Sequence, residues 1–520
     1  MTNFVGYPSS YRAPFTAMQL LFGQGPSNAP AGPRSAMYMG PKTAAGTANV
    51  NQAYTITSEA DAITLFGVGS PVHRALRRHL LASTLGTLIG ICYAPSSGGS
   101  PVAAAGTITI TFTSGSNPTA TGQVTTYVAG EVITTGFNTA DTATTIAANI
   151  VLGINAKVWL PVTATSSVGV VTITAKIAGA SQGDGTVGVI RLRTIADAGK
   201  NVISTASGAA LGLGTGTVGV DGTTTELVNM TGALSTLTNT RYYYNGFTMW
   251  SAAALAVIAT HVSAKSQANP GLRCRAFTAY TGTGSAVSAL AIAVNFERQH
   301  IVHQTNSEWD TADLVGNAIA IHQSQEAGTG DFVPDNYRGK DWMCPAAYSN
   351  ADWPTSTQIN QAVTDGVIEV ASDQYGSFMV MSVTTRSRDS GGTISDFRAT
   401  ETHRISFLDA VGDRWLIRDA VQYGVGFKLT PDQLMPDGSI NFNQKVPPFT
   451  LTPSLYKPFA AAQIQEAADN GEIQGASTWL NSLICSIDPN NISRLVVTAS
   501  GRTIDIRHQT GIQLSETTPG

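Results

Sequence analysis

Between residues 107 and 220 the chain nearly abandons charge and alternates apolar with small polar side chains. The runs TITITF (107–112), QVTTYVAG (123–130), PVTATSSVGVVTITAKIAG (161–179) and VGVIRLRTIA (187–196) carry this pattern. A period of two places every second side chain on one strand face, and β-branched residues fit a pleated, half-buried surface. The runs therefore predict short strands separated by turns. One helix is expected among them, over Asp141–Ile150. Two small-residue stretches, APSSGGSPVAAAG (94–106) and Gly212 to Gly222, fence the unit off as linkers.

The flanking sequence reads differently. Before the first linker come an apolar segment near Ser35–Gly40, a helix carrying His73, Arg74, Arg77 and Arg78, and a strand ending at Ile91-Cys92-Tyr93. After the second, helices and strands alternate. Tyr242 to Tyr244 is strand-like, and Ser251 is a helix N-cap. Arg275–Tyr280 is a strand, 285–293 a helix, Ile301-Val302 part of a strand and Asp310–Gln325 a helix. Such alternation predicts an α/β layer that resumes once the β-rich unit ends. The last third predicts a hairpin, Val367–Val370 with Phe378–Arg386, then a helix with Ile405, Leu408, Val411 and Trp415 on one face. A second helix has Pro458 near its start and Asn470-Gly471 as its C-cap signal. Leu495–Ala499, the turn Ser500-Gly501 and Arg502–Arg507 read as a closing hairpin.

A length of 520 residues exceeds what one core supports, since cores stop growing near about 250–300 residues. The expected fold class is a multidomain mixture of α/β and α+β layers. Its divisions are an extended arm over 1–24, an α/β domain from 25–100 and 223–345, an inserted β-rich outer domain over 101–222, a C-terminal domain over 346–494 and a terminal hairpin or arm over 495–520.

Charged residues make up 12% of the chain, against about 25% in an average soluble domain. Hydrophobic residues at 42% still suffice for real cores, so the composition is not that of a disordered chain. A surface that meets copies of itself tolerates such a shortage, because interface centres are depleted in charge. The net charge of −4 and the lack of any Lys/Arg run exclude a direct nucleic-acid binder, which needs a basic face for phosphate. No apolar run reaches the roughly 18–20 residues of a membrane span, and MTNFVGYPSSYRAPF has no signal-peptide pattern. Cys92, Cys274, Cys344 and Cys485 are scattered and read as free thiols from a reducing cytoplasm.

Few motifs invite chemistry. Gly179-Ala-Ser181-Gln-Gly183 matches a nucleophile elbow, the basis for a rival reading as a β-rich serine hydrolase using Ser181. Turn and strand signals follow it, not a helix, so it reads as a loop. Gly214-Thr-Gly216-Thr-Val-Gly219 fits a dinucleotide fingerprint in spelling only, because no helix signal follows. His300, His303 and His322 could suggest a metal, but on a strand His300 and His303 face opposite sides. Tyr242 to Tyr244 and Trp250 read as core aromatics rather than a stacking platform. The sequence thus calls for no cofactor, no metal and no catalytic residue.

Both ends carry strand-like segments with no partner in sequence. Phe15, Met18, Leu20 and Phe22 lie in a proline-flanked arm, Ile504 and Ile506 in the closing hairpin, and Ile512 and Leu514 in the polar tail after it. An unpaired apolar edge invites pairing with another chain, so these are the candidate intersubunit strands.

The order of segments resembles contractile phage tail sheath proteins, most closely the branch typified by phage Mu. Gly6-Tyr7-Pro8-Ser-Ser-Tyr11-Arg12-Ala-Pro14 is similar to that branch's opening. Gln123–Glu131, Asp141–Ala147 and the LPVTA segment at 160–164 resemble its β-rich domain. Asp365-Gly366 through Arg386, the helix through Trp415, and Thr452-Pro453 with EAADNGEIQG (466–475) follow in the family's order. The resemblance implies a tail-sheath-like α/β core with strand-donating arms at both ends. It further implies hexameric rings stacked around a tail tube, contraction of a metastable lattice without nucleotide hydrolysis, and assembly in a host bacterial cytoplasm into a virion. The implied partners are further copies of the chain, the tail tube protein, and baseplate and tail terminator proteins. Alternatives are another tail structural protein, such as a tube subunit, or an adhesin.

Overall fold

A computed structural model describes residues 34–503, apart from 85, 183–191, 208–216, 238, 268–271, 306, 328–341, 346–352, 374–375, 387–401, 424–426 and 442–444. These divide into a larger unit, holding the described residues from Arg34 to Asp409 and Thr503, and a smaller one over Ala410–Arg502.

The larger unit is built on an eight-stranded sheet. Its first part comprises β1 (Ala36–Pro41), β2 (Ala53–Ile56), α1 (Glu59–Phe66), α2 (Pro71–Ala82) and β3 (Leu88–Tyr93). The chain then leaves the sheet for a β-rich excursion: β4 (Ala103–Phe112), β5 (Gly122–Val128), β6 (Glu131–Phe137), α3 (Ala143–Ala156), β7 (Val162–Ser167), β8 (Val170–Ala178), β9 (Leu192–Ala196) and β10 (Val202–Ser207). It returns through α4 (Glu226–Ser235), β11 (Tyr244–Phe247), α5 (Ala252–Ser266), β12 (Arg275–Tyr280), α6 (Gly284–Val294), β13 (Gln299–His303), α7 (Thr311–Ala327), α8 (Ser356–Thr364), β14 (Ile368–Asp373) and β15 (Gly376–Met379).

Sheet order is β15-β14-β13-β12-β11-β1-β3-β2, parallel except for the antiparallel edges β2 and β15. A parallel sheet buried on both faces needs apolar residues without alternation. AMYMGP of β1 and LIGICY of β3 are accordingly buried along their whole length. Ala36 and Tyr38 of β1 join the core cluster that holds residues of α2 and α7, while Met37 and Met39 join the one holding residues of α4 and α5. Ser70 and Pro71 start α2 as N-cap and first helical residue, and Ser251 caps α5 through the Ala254 amide. Helices α2 and α7 cross closely: a Cβ on Gly316 would stand 2.3 Å from the Ala75 carbonyl oxygen.

The excursion forms two antiparallel sheets, β10-β4-β8-β7 and β6-β5-β9, around one core. Ile108, Val124, Val128, Ile146, Ile150, Val171 and Ile173 are buried there, each contributing about 1.5–3 kcal/mol. The helix starts two residues later than the sequence suggests. Thr142 is its N-cap, and Asp141 instead accepts from the Asn138 amide at 2.7 Å. The two stretches read as linkers pair with each other. Val102 and Val220 exchange backbone hydrogen bonds of 2.9 and 3.0 Å, and Ala105 with Thr217 and Ser97 with Thr224 do likewise. Two of its hairpins close on two-residue turns with both central residues at positive φ: Ala129-Gly130 (47° and 79°) and Val168-Gly169 (46° and 80°).

Helix α9 (Thr402–Gln422) leads into the smaller unit. There β16 (Lys428–Leu429) pairs with β17 (Thr450–Leu451), followed by α10 (Pro453–Asp469), β18 (Ile473–Gln474), α11 (Ala476–Asn481), β19 (Ile484–Asp488) and β20 (Asn491–Thr498). Its core gathers Leu451, Tyr456, Ala460, Ile464, Ala467, Ile473 and Leu483. Arg414 forks onto Glu472 and Arg418 onto Glu466, while the Trp415 indole donates to Tyr456, which donates to Asp419. Two expectations are corrected here. Helix α10 begins at Pro453 under a Thr452 cap, leaving Pro458 inside it. Among the described residues, Leu495–Thr498 does not pair with Arg502-Thr503: β20 pairs with β19 through the turn at Pro489-Asn490. The Asp-Pro-Asn-Asn turn signal outweighs Ser-Gly. Gly501 instead lies flat on the Trp479 ring, where a Cβ would come within 2.2 Å.

Candidate functional site

The candidate intersubunit residues Phe15, Met18, Leu20, Phe22, Ile504, Ile506, Ile512 and Leu514 all lie outside the described residues. Ser181 sits in one 3-10 turn (Ala180–Gln182) at the end of β8, with its side chain toward the Glu226 carboxyl. Of the glycine-rich 214–219 segment, Thr217 to Gly219 are described, and Thr217 is bonded to Ala105. The three histidines hold separate hydrogen-bond partners, although the His300 and His322 rings lie 6.2 Å apart, both against Phe277. His300 stacks on Phe277 and its Nδ1 meets the Val383 carbonyl at 3.0 Å. His322 bridges the Ala318 carbonyl and the Ser382 hydroxyl. His303 is buried between the Glu369 carboxylate (2.6 Å) and the Gly282 carbonyl (2.9 Å). Both its ring nitrogens face acceptors. Burial opposes the charge, but Glu369 outweighs it and holds His303 above its ordinary range as an imidazolium.

Tyr243 is buried as expected, yet basic groups surround it. Arg34 lies 3.9 Å over its ring, and its hydroxyl accepts from Arg275 at 2.8 Å and donates to Asp409 at 3.1 Å. Arg298 grips the same carboxylate through two bonds of 2.8 Å. Burial disfavours the Asp409 anion, but Arg298 wins and lowers its pKa.

The most elaborate polar assembly joins the β-rich excursion to the sheet domain. Arg74 and Arg78, one turn apart on α2, project toward Asp310 and Asp313 at the start of α7. Arg74 is ion-paired with Asp313 and lies 3.6 Å from Asp310, while Arg78 Nε is 3.4 Å from Asp313. All four are nearly inaccessible. Burial pushes Asp310 up to about 6 despite Arg74. Arg74 also donates to the Ala129 carbonyl at 3.3 Å, and Arg78 stacks over Trp309 at 4.4 Å. Gly130 lies against the same indole, where a Cβ would come within 2.2 Å. Arg193 of β9 reaches Glu308 at 2.7 Å.

A second contact lies beside it. Lys176 of β8 donates to the Val68 and Val158 carbonyls at 3.3 and 2.7 Å, and burial lowers its pKa to about 8. The Gly69 amide donates to His73 Nδ1 at 3.1 Å, which requires a neutral ring. Burial, reinforced by Arg74 and Arg77, holds His73 near 4. A third lies where the chain returns: Glu226, the first residue of α4, faces Gly179, Ser181 and Asp221. Burial pushes it up to about 8, only partly offset by Ser181.

Breaking a buried ion pair from one side costs about 3–5 kcal/mol, whereas the intact pair mainly enforces one geometry. The assembly therefore fixes where the β-rich sheets sit on the α2–α7 face. In doubly wound sheets the ligand crevice opens where strand order reverses. Here that is between β1 and β11, and the position is filled: Gly40 packs on Thr248 and Val72, and Thr311 bonds the Thr248 carbonyl. Sequence reading found the arginines of α2 but not their partners. The signal was their one-turn spacing, matched by the three-residue spacing of Asp310 and Asp313.

No protein-family model matches the chain, and no curated protein does. Among solved structures it is similar to the sheath tail protein of Desulfitobacterium hafniense, at 14% identity over 94% of this chain and 97% of that one, with a TM-score of 0.46. It is similar to the sheath tail protein Lin1278 of Listeria innocua at 13% identity, over 92% and 93%, with a TM-score of 0.45. A chain of the anti-feeding prophage baseplate matches at 11% identity over 59% and 78%, with a TM-score of 0.34.

Proposed function

We propose that this chain is a structural subunit of a contractile phage tail sheath, of the Mu-like branch. It polymerises through its terminal arms into rings stacked around a tail tube. Contraction then drives the tube through the host envelope without nucleotide hydrolysis. In this reading the protein is a virion component assembled in the host cytoplasm, and its partners are its own copies, the tube, the baseplate and the terminator.

The ordered series of sequence resemblances carries the reading, and each internal member falls on a discrete element. QVTTYVAGE spans β5 and its turn, DTATTIA opens α3, and LPVTA leads into β7. Asp365-Gly366 precedes β14, and EAADNGEIQG ends α10 and covers β18. A subunit that moves as a rigid body in a contracting lattice also needs its outer sheets fixed to its core. The buried Arg74–Asp313 assembly meets that requirement.

Negative-stain electron microscopy of the purified chain, over a range of concentration and salt, tests the proposal. Hollow striated tubes are expected, and deletion of residues 1–22 should leave folded monomers that form none. Tubes formed equally well by the truncated chain would defeat arm-mediated assembly.

A further inference from the structure

Helix α3 closes one side of the β-rich excursion, lying against β6 and β7, the outermost strands of its two sheets. β7 ends the order β10-β4-β8-β7, so one of its edges has no strand beside it among the described residues. In an antiparallel pair, residues alternate between exchanging both backbone bonds with the partner strand and exchanging neither. Pro161 accepts from the Lys176 amide at 2.8 Å, so the bonded positions along β7 are the odd-numbered ones. Val162, Ala164 and Ser166 therefore turn their amides and carbonyls outward. Asn155, in the last turn of α3, meets that edge. Its Oδ1 accepts from the Ala164 amide at 2.9 Å, and its Nδ2 donates to the Ala164 carbonyl at 2.9 Å. A carboxamide offers the same donor and acceptor as a peptide group, so Asn155 pairs with Ala164 as a neighbouring strand would. Of the usual guards within an edge strand, charge, proline and bulge, β7 has none. Its sequence is VTATSS, and its register with β8 runs unbroken over six pairs. The other outer strand, β6, starts instead at Glu131, which Lys157 pairs at 2.9 Å.

We propose that Asn155 is an autoinhibitory contact: its carboxamide fills the free edge of β7 and denies it to an extended segment of a second copy of this chain. An uncharged edge binds through main-chain hydrogen bonds, which any extended segment can supply. A bare edge therefore recruits the strand most concentrated around it, and in an assembly of this chain that strand belongs to another copy. With charge on only 12% of its residues, the chain has little else to keep its copies apart. The contact does not depend on whether those assemblies are sheaths.

The test compares the full-length wild type, Asn155→Ala and Asn155→Lys by amide hydrogen exchange and sedimentation, each dilute and concentrated. Loss of the side-chain bonds in Asn155→Ala should speed exchange across 162–166 by roughly three- to tenfold in dilute solution. On concentration, Asn155→Ala should associate further than wild type and regain protection over the same residues. Asn155→Lys loses the same bonds but brings a charge to the edge, so it should exchange as fast and not associate further. Both replacements are good helix formers, so α3 should tolerate them. Protection regained only at 162–166 separates edge pairing from any tubes that the wild type itself forms. If neither variant associates beyond wild type, the proposal is overturned. Equal association of both also overturns it, since that marks a loosened fold rather than an opened edge. So does an alanine variant that fails to fold, because Asn155 is then needed for the fold itself.

Discussion

Two hairpins of the β-rich sheets close on the same kind of turn and meet opposite surroundings. At Ala129-Gly130 the tip is buried, with its carbonyl on Arg74 and its glycine on Trp309. At Val168-Gly169 the first turn residue is 86% exposed. The buried tip has the small residues that its positive φ angles and the indole demand. The exposed tip keeps a β-branched valine at φ 46°, where such side chains are rare and strained. Turn type is thus set locally by strand twist, whereas residue size at the tip is set by what the tip touches.

The largest effect should come from breaking the buried tip's support. Asp313→Ala leaves Arg78 in a dry site without its carboxylate and Arg74 with only Asp310 at 3.6 Å, and should cost about 3–5 kcal/mol in urea unfolding. A loss below about 1 kcal/mol would show that the pairing is solvated and erase the contrast. Next comes acid. His73 titrates near 4 when folded and near 6.5 when unfolded, so the unfolded chain takes up its proton first. Its contribution is complete above about pH 6.5 and is lost as pH falls towards 4, by up to about 3 kcal/mol. Asp310, raised to about 6, has the opposite sign over part of this window. The difference between wild type and His73→Gln isolates the histidine, and equal acid profiles would refute its role. The smallest effect belongs to the exposed tip. Val168→Asn should stabilise by about 0.5–1 kcal/mol, because Asn tolerates the left-handed region. Destabilisation would mean that the valine makes contacts that outweigh its strain.

The sequence made the β-rich excursion legible because period two and charge depletion act over a few residues at a time. It made Ser251 and Asn470 legible as helix ends for the same reason. What it could not show was pairing over distance. Arg74 and Asp313 are 239 positions apart, and nothing near either names the other. Even within the strands, the partner of β20 was misassigned, since alternation marks a strand and not its neighbour. Glu226 drew no reading from the sequence, since its burial against Gly179 comes only with the packing.

The exchange of hydrogen bonds between Val102 and Val220 also makes the excursion a cassette. Its entry and exit backbones lie about 5.5 Å apart, the spacing of a bonded antiparallel pair. A span that short can be closed by a tight turn at little entropic cost, so the sheet domain would lose no strand if everything beyond the pair were removed. The same port would accept a lobe of another size, provided that its base supplied a carbonyl to Arg74 and a flat surface to Trp309. The sheet domain thereby becomes a chassis whose outer face can be exchanged while its interior stays as it is.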